Sequence, residues 1–239
     1  MFQGFTDETF DFLTAIGFNN NTEFFHGNHD WYLRAVREPC LQLAEALSGV
    51  AEEVDEAIER RPNRVVSRIN RDLRYSRDKS PYRDRMWLSF QRPAEVKYTA
   101  PGLYFEITPR GASCGLGFYE AERLRMNGLR RLLRVEPEAF LSLWQPLNDD
   151  YVTMLDGYKR MKLPEGLDPA LRDWYRVRRF YLDREMDDFR LLKSPELVDW
   201  LAGCFRQLAP FYRYIAAIEP VQDADQTRRD PVHAVESAI

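Results

Sequence analysis

The sequence predicts an α+β fold: a small central antiparallel sheet flanked by N-terminal and C-terminal helices. Three observations point to it. Apolar residues recur at helical spacing before about residue 60, and they return to that spacing after residue 120. Between residues 65 and 119 they instead alternate or cluster in four short runs. Gly and Pro separate those runs at short intervals, which suits antiparallel strands and leaves no length for crossover helices. Helices, then strands, then helices is an α+β arrangement.

Thr6 reads as an N-cap, with Asp7 and Glu8 in the first turn and Phe5 placed to staple onto Phe10. The helix over 7–16 stops at Gly17, and Asn19, Asn20 and Asn21 follow as a turn. A second helix starts near Thr22 and carries Phe24, Phe25, Trp31 and Tyr32. Leu41, Ala44, Leu47, Val50, Ala51, Val54 and Ile58 predict one amphipathic helix over 39–59. Strands are predicted at 65–72, 86–91, 102–108 and 112–119, the last containing Gly115 and Gly117. Helices follow over 120–136 and 137–147, then a loop or short strand over 155–166 and a last apolar helix over 195–218. The reading is one α+β domain over residues 1–219, with a disordered tail over 220–239 where hydrophobic periodicity ends.

With 44% hydrophobic and 30% charged residues, the composition is that of a soluble globular protein. No apolar run approaches the eighteen or so residues of a membrane span, and no secretory signal pattern opens the chain. Cys40, Cys114 and Cys204 are far apart and make no Cys-x-x-Cys pair, which suits buried thiols in a reducing cytoplasm. A pI near 5.6 argues against a broadly basic nucleic-acid surface.

One segment breaks the acidic balance. Residues 61–85 hold nine Lys or Arg against three Asp, a local charge of +6 on a chain whose total is −4. Such a patch points to a local anionic partner. Strand alternation would put Arg68, Asn70, Asp72 and Arg74 on one polar face, while Arg71 falls between apolar Ile69 and Leu73. Ser80 is held extended before Pro81. The predicted anion ligands are Arg68, Arg74, Ser76, Lys79, Ser80 and Arg83, converging on a phosphate or carboxylate. Two other readings stand beside this one: a solvated turn paired to Asp72, Asp78 and Asp84, or an ion-pair lattice that fixes the loop. No nucleotide-binding glycine motif is present.

Glu23, His26 and His29 share helical spacing, but no complete ligand set accompanies them, so neither a metal nor another cofactor is expected. No histidine-based nucleophilic triad is visible. Any catalysis would fall to carboxylates, with Asp72 and Glu106 as the candidates on neighbouring strands. Each could equally pair with an arginine across the sheet. Tyr104 and Phe105 read as core.

Four places carry a resemblance to a known family. They are Gly4-Phe5 to Phe12 with Asn19-Asn20-Asn21, the segment 68–83, Pro101-Gly102-Leu103-Tyr104, and Leu155-Asp156-Gly157 to Pro164-Glu165-Gly166. The core Arg-Asp-x-Arg-Tyr-Ser-x-Asp-Lys-Ser-Pro-Tyr at 71–82 is its most specific part. On these the chain resembles the bacterial and fungal family catalogued as domain of unknown function 2461. The resemblance implies one compact α+β domain and brings no reaction with it. His29 departs from the lysine or other polar residue the family tends to show there, which weakens it further as a ligand. Three function classes follow: a cytoplasmic protein binding a small anionic ligand, with or without catalysis; a scaffold whose arginines are structural; or a nucleic-acid-associated protein, disfavoured by the acidic remainder.

Overall fold

The computed structural model describes residues 1–74, 78–93, 99–118 and 122–222. The first helix, α1 (Asp7–Phe18), opens at an extended Thr6. Phe5 stacks on Phe105 of the sheet while Phe10 meets Phe189. The two rings anticipated as a staple therefore anchor the helix to different parts of the core. The α2 helix (Thr22–Gly27) begins where the Asn21 side chain accepts from the Phe24 amide.

Two helices, α3 (Glu38–Ala46) and α4 (Ser48–Val54), replace the single one predicted over 39–59. Ser48 and Gly49 are poor helix formers, and Leu47 and Val50 on either side of the break are both buried. A π turn at Leu33–Arg37 precedes α3. Pro39 has no N–H to offer the Ala35 carbonyl four residues back. The buried Thr9 hydroxyl donates to that carbonyl instead, at 2.6 Å.

The sheet has five antiparallel strands: β1 (Met86–Gln91), β2 (Gly102–Thr108), β3 (Gly111–Gly117), β4 (Val152–Gly157) and β5 (Val177–Met186). Their order is β1-β2-β3-β5-β4. The first three match the predicted runs, β4 overlaps the start of the 155–166 stretch read as a loop or short strand, and β5 was not predicted. Residues 65–72 are not a strand. Pro62–Val65 is a helical turn, and Val66 and Asn70 make isolated bridges to Leu88 and Tyr82. The ladder to β1 lapses because the Trp87 amide donates to the Ser67 hydroxyl and not to a carbonyl.

Three later helices, α5 (Arg123–Val135), α6 (Pro137–Trp144) and α7 (Leu197–Ala216), complete the framework. Phe205 on α7 meets Phe90 of β1, and Phe211 meets Phe180 of β5. Buried side chains from Phe2 to Ile218 form one contiguous cluster. Arg130 on α5 is buried and spends its donors on the Tyr175 and Val177 carbonyls, which fixes the start of β5. Of the predicted tail, Val221 and Gln222 are held by Asn127 of α5, and residues 223–239 lie outside the described residues. Among the described residues no helix is long and apolar enough to cross a membrane.

Gly115 is the tightest point of the sheet: a Cβ there would lie 1.8 Å from the Leu182 carbonyl oxygen and 2.8 Å from the Tyr104 hydroxyl. Gly115→Ala should therefore cost about 1–3 kcal/mol, read as a lower midpoint in urea. Gly203→Ala, where the added Cβ meets nothing within 4 Å, should add about 0.4–1 kcal/mol of stability, read as a higher midpoint in the same assay.

Candidate functional site

The arginine segment folds back on itself. The Arg71 amide donates to the Pro81 carbonyl at 2.8 Å and the Arg83 amide to the Ile69 carbonyl at 2.9 Å. Ser76, one of the predicted ligands, falls at 75–77, outside the described residues. The enclosed loop leaves carbonyls without ladder partners, and side chains supply the missing donors. Arg71 donates to the Ser80 carbonyl at 3.1 Å and the Tyr82 carbonyl at 3.4 Å, and it pairs with Asp78 at 3.0 Å. Arg83 donates to the carbonyls of Arg68 and Asn70, and Lys79 to that of Leu73 at 2.9 Å. Asn20 clamps Tyr82 from outside: its amide nitrogen donates to the Tyr82 carbonyl and its oxygen accepts from the Tyr82 amide, both at 2.9 Å. A residue that read as part of a helix stop thus ties α1 to the arginine loop.

The remaining predicted ligands sit around this strap. Arg74 forks onto Asp72 at 2.7 and 3.0 Å, which holds that exposed carboxyl down at about 2. The Ser80 amide donates to Asp78, and Arg68 is exposed. Asp72 and Glu106 are not brought together, since the partner of Glu106 is Arg85, at 3.3 Å.

What does assemble lies on the outer face of the sheet, opposite the helices. Register places Trp87 opposite Glu106, Tyr104 opposite Gly115, and Gly115 opposite Asp183. Alternation then sends Leu88, Phe105, Cys114 and Leu182 to the core face, where all four are fully buried. Because Gly115 has no side chain, Tyr104 lies across β3 and its hydroxyl donates to Asp183 Oδ1 on β5. Burial, and then the charge of Asp183, push the tyrosine pKa far up, so it remains a donor. Burial also raises Glu106, with Asp183 and Asp84 adding and Arg85 opposing. The Arg83 guanidinium stacks 4.8 Å over Trp87, and Tyr181 meets Tyr104 edge-on at 6.2 Å.

The end of the arginine segment and Glu106 therefore share one surface, joined through Arg83 and Arg85. A carboxyl held above its ordinary range, beside a tyrosine–aspartate pair and aromatic faces, can exchange a proton with a bound molecule. Tyr104, Asp183 and Arg85 escaped the reading from sequence. Gly115 and Gly117, alternating within one strand, were the available signal, because such glycines mark close approach by other groups. A cleft of about 360 Å³ continues this face toward β4, with Asp150, Val152, Met154, Asp183 and Arg184 in its wall. A second cleft, of about 830 Å³, lies elsewhere, between α5 and the loop of Lys162 to Asp168. Neither contains a residue of the arginine segment. Among the described residues no cluster of His, Cys, Asp or Glu is placed to hold a metal ion.

The profile of the conserved hypothetical protein family DUF2461 matches residues 8–214. The chain belongs to this family. No curated protein matches it. The DUF2461 match takes in the strap, the whole sheet and most of α7, so the outer face lies within the shared region.

Two measurements separate structural from solvent-facing charges here. Arg71→Ala removes two carbonyl bonds and an ion pair and should cost about 1.5–3 kcal/mol, whereas Arg68→Ala should stay within about 0.5 kcal/mol, both by urea unfolding. Glu106 supplies a pH test. Its raised pKa means the folded state holds the proton more tightly, so its stabilising contribution is full below the ordinary value of 4.5 and is lost as pH rises through the folded value. The Tm of Glu106→Gln minus that of wild type should therefore rise from about pH 4 to about pH 7. A falling difference would mean that the Arg85 pair outweighs burial.

Proposed function

We propose that this protein binds a small ligand bearing a phosphate or carboxylate at the arginine-rich edge of the outer sheet face. The observation that carries the reading is the junction itself: Arg85 on Glu106, and Arg83 on Trp87, beside the Tyr104–Asp183 pair. Arg85 is half exposed, so its guanidinium can turn from Glu106 to an arriving anion and make a forked, charge-assisted contact. Exposed Arg68 and the +6 charge of residues 61–85 favour the approach of an anion to this edge. In this reading Arg74, Lys79, Ser80 and Arg83 form the strap behind the anion, and Ser76 lies outside the described residues. Trp87 and Tyr104 offer apolar faces to the rest of the ligand, and Glu106 would donate the proton in any reaction at this site.

A second reading has its own observation. Arg71, Lys79 and Arg83 spend donors on backbone carbonyls, which suits a scaffold whose arginines hold its fold. Thermal melting of wild type and Arg85→Ala against a panel of phosphorylated and carboxylated metabolites separates the two. A true ligand at a hundred times its Kd should stabilise wild type by about 2.7 kcal/mol. Arg85→Ala should weaken that ligand by about tenfold or more, while its ligand-free stability falls by at most about 1 kcal/mol, as for an exposed ion pair. If no anion shifts the wild type and Arg71→Ala is strongly destabilised, the scaffold reading replaces this one.

A further inference from the structure

The three cysteines are free and buried, yet they are not alike. Cys40 is an ordinary core thiol, pushed up to about 12 by burial. Cys204 is on α7, which packs against β3, and Cys114 of β3 points into the core. The cross-strand partner of Cys114 is Arg184 on β5, and Arg184 Nη1 comes within 4.0 Å of Cys204 Sγ. Asp150 holds that guanidinium at 3.3 Å, and the rings of Trp200 and Tyr151 flank it at 5.1 and 6.0 Å. The Cys114 thiol beside it, then Tyr151 and Arg184, bring the Cys204 thiol down against the effect of burial. Cys114 moves the other way, pushed up by that same contact and by burial. A cation and a thiol donor around one sulfur are the surroundings that make a thiolate nucleophilic. Arg184 also forms part of the wall of the 360 Å³ cleft, which brings a small polar oxidant to within one side chain of Cys204.

We propose that Cys204 and Cys114 are an oxidisable dithiol, with Cys204 the peroxide-reactive sulfur and Cys114 the resolving one. The Cys204 thiolate attacks one oxygen of hydrogen peroxide. A sulfur–oxygen bond forms, the oxygen–oxygen bond breaks, and hydroxide leaves to take up the proton that Cys204 had released. The Cys114 sulfur then attacks the Cys204 sulfenic acid. A disulfide forms, the sulfur–oxygen bond breaks, and the hydroxyl departs with the Cys114 proton as water. Two thiols give up two electrons and one peroxide becomes two waters. The product would link α7 to the middle strand of the sheet, on the face away from Tyr104 and Glu106, so the proposal does not rest on the ligand reading.

The test uses the full chain. Wild type is treated with equimolar hydrogen peroxide, denatured in N-ethylmaleimide and weighed intact. The expected product carries a single maleimide, on Cys40, and its peptide map joins the segments of Cys114 and Cys204. In Cys114→Ser, peroxide with dimedone should label Cys204, and adding Arg184→Gln should slow that labelling by about tenfold. Three maleimides on peroxide-treated wild type overturn the proposal. So does a folded Cys114→Ser protein, checked by circular dichroism, whose Cys204 takes no dimedone. If Cys114→Ser does not fold, the wild-type mass and peptide map decide the question alone.

Discussion

Among the described residues of the arginine segment, the carbonyls of Arg68, Asn70, Leu73, Ser80 and Tyr82 take side-chain donors from Arg71, Lys79, Arg83 and Asn20. An unpaired carbonyl that loses water needs a partner, and a guanidinium fork can serve two at once. That requirement accounts for where Arg71, Lys79 and Arg83 send their donors in this irregular segment. Its consequences reach the sheet. Just before the strap, Val66 and Ser67 lie along β1, an edge strand, and with Glu59 they take up bonds there that would otherwise invite another chain. The segment also delivers Arg83 over Trp87 and Arg85 onto Glu106, so the outer face takes its cationic rim from it.

A single strand separates the two chemistries of the molecule. Along β3, Cys114 points into the core toward Cys204 and Arg184, while Gly115 lies on the outer face beneath Tyr104. The two-residue period of a strand places neighbouring positions in opposite environments. One is a buried thiol pair against a guanidinium; the other is a bare patch of backbone over which a tyrosine reaches an aspartate two strands away. Asp150, Arg184 and Asp183 lie together in the wall of one cleft, yet Arg184 turns to the core side and Asp183 to the outer side. The cleft thus touches both.

Several elements were legible in the sequence because each carries its own period. The strands Met86–Gln91, Gly102–Thr108 and Gly111–Gly117 alternate or run apolar between turns, and Leu197–Ala216 repeats its apolar residues every three or four positions. Glu106 stood out because it interrupts an apolar alternation. Val177–Met186 did not stand out, because Val177, Phe180, Leu182 and Met186 are interleaved with Arg178, Arg179, Asp183, Arg184 and Glu185. Those charges are tolerated in a central strand because Asp156 and Asp150 answer some of them from distant positions. The predicted strand over 65–72 failed for the converse reason. Its alternation was real, but a single serine hydroxyl took the place of a ladder carbonyl.

By itself, then, the sequence determined the α+β class, most helix and strand positions, and the site of concentrated positive charge, since periodicity and charge are properties of neighbours along the chain. It could not say what those charges would face, because a guanidinium satisfies a phosphate, a carboxylate or a backbone carbonyl with the same donors. Tertiary structure made that choice for Arg71, which reaches the carbonyls of Ser80 and Tyr82. It also brought Tyr104 to Asp183, and Cys114 to Cys204, pairs separated by roughly eighty to ninety residues of chain. Such meetings depend on strand register and on which glycine lies between, and both are set only when the whole sheet has assembled.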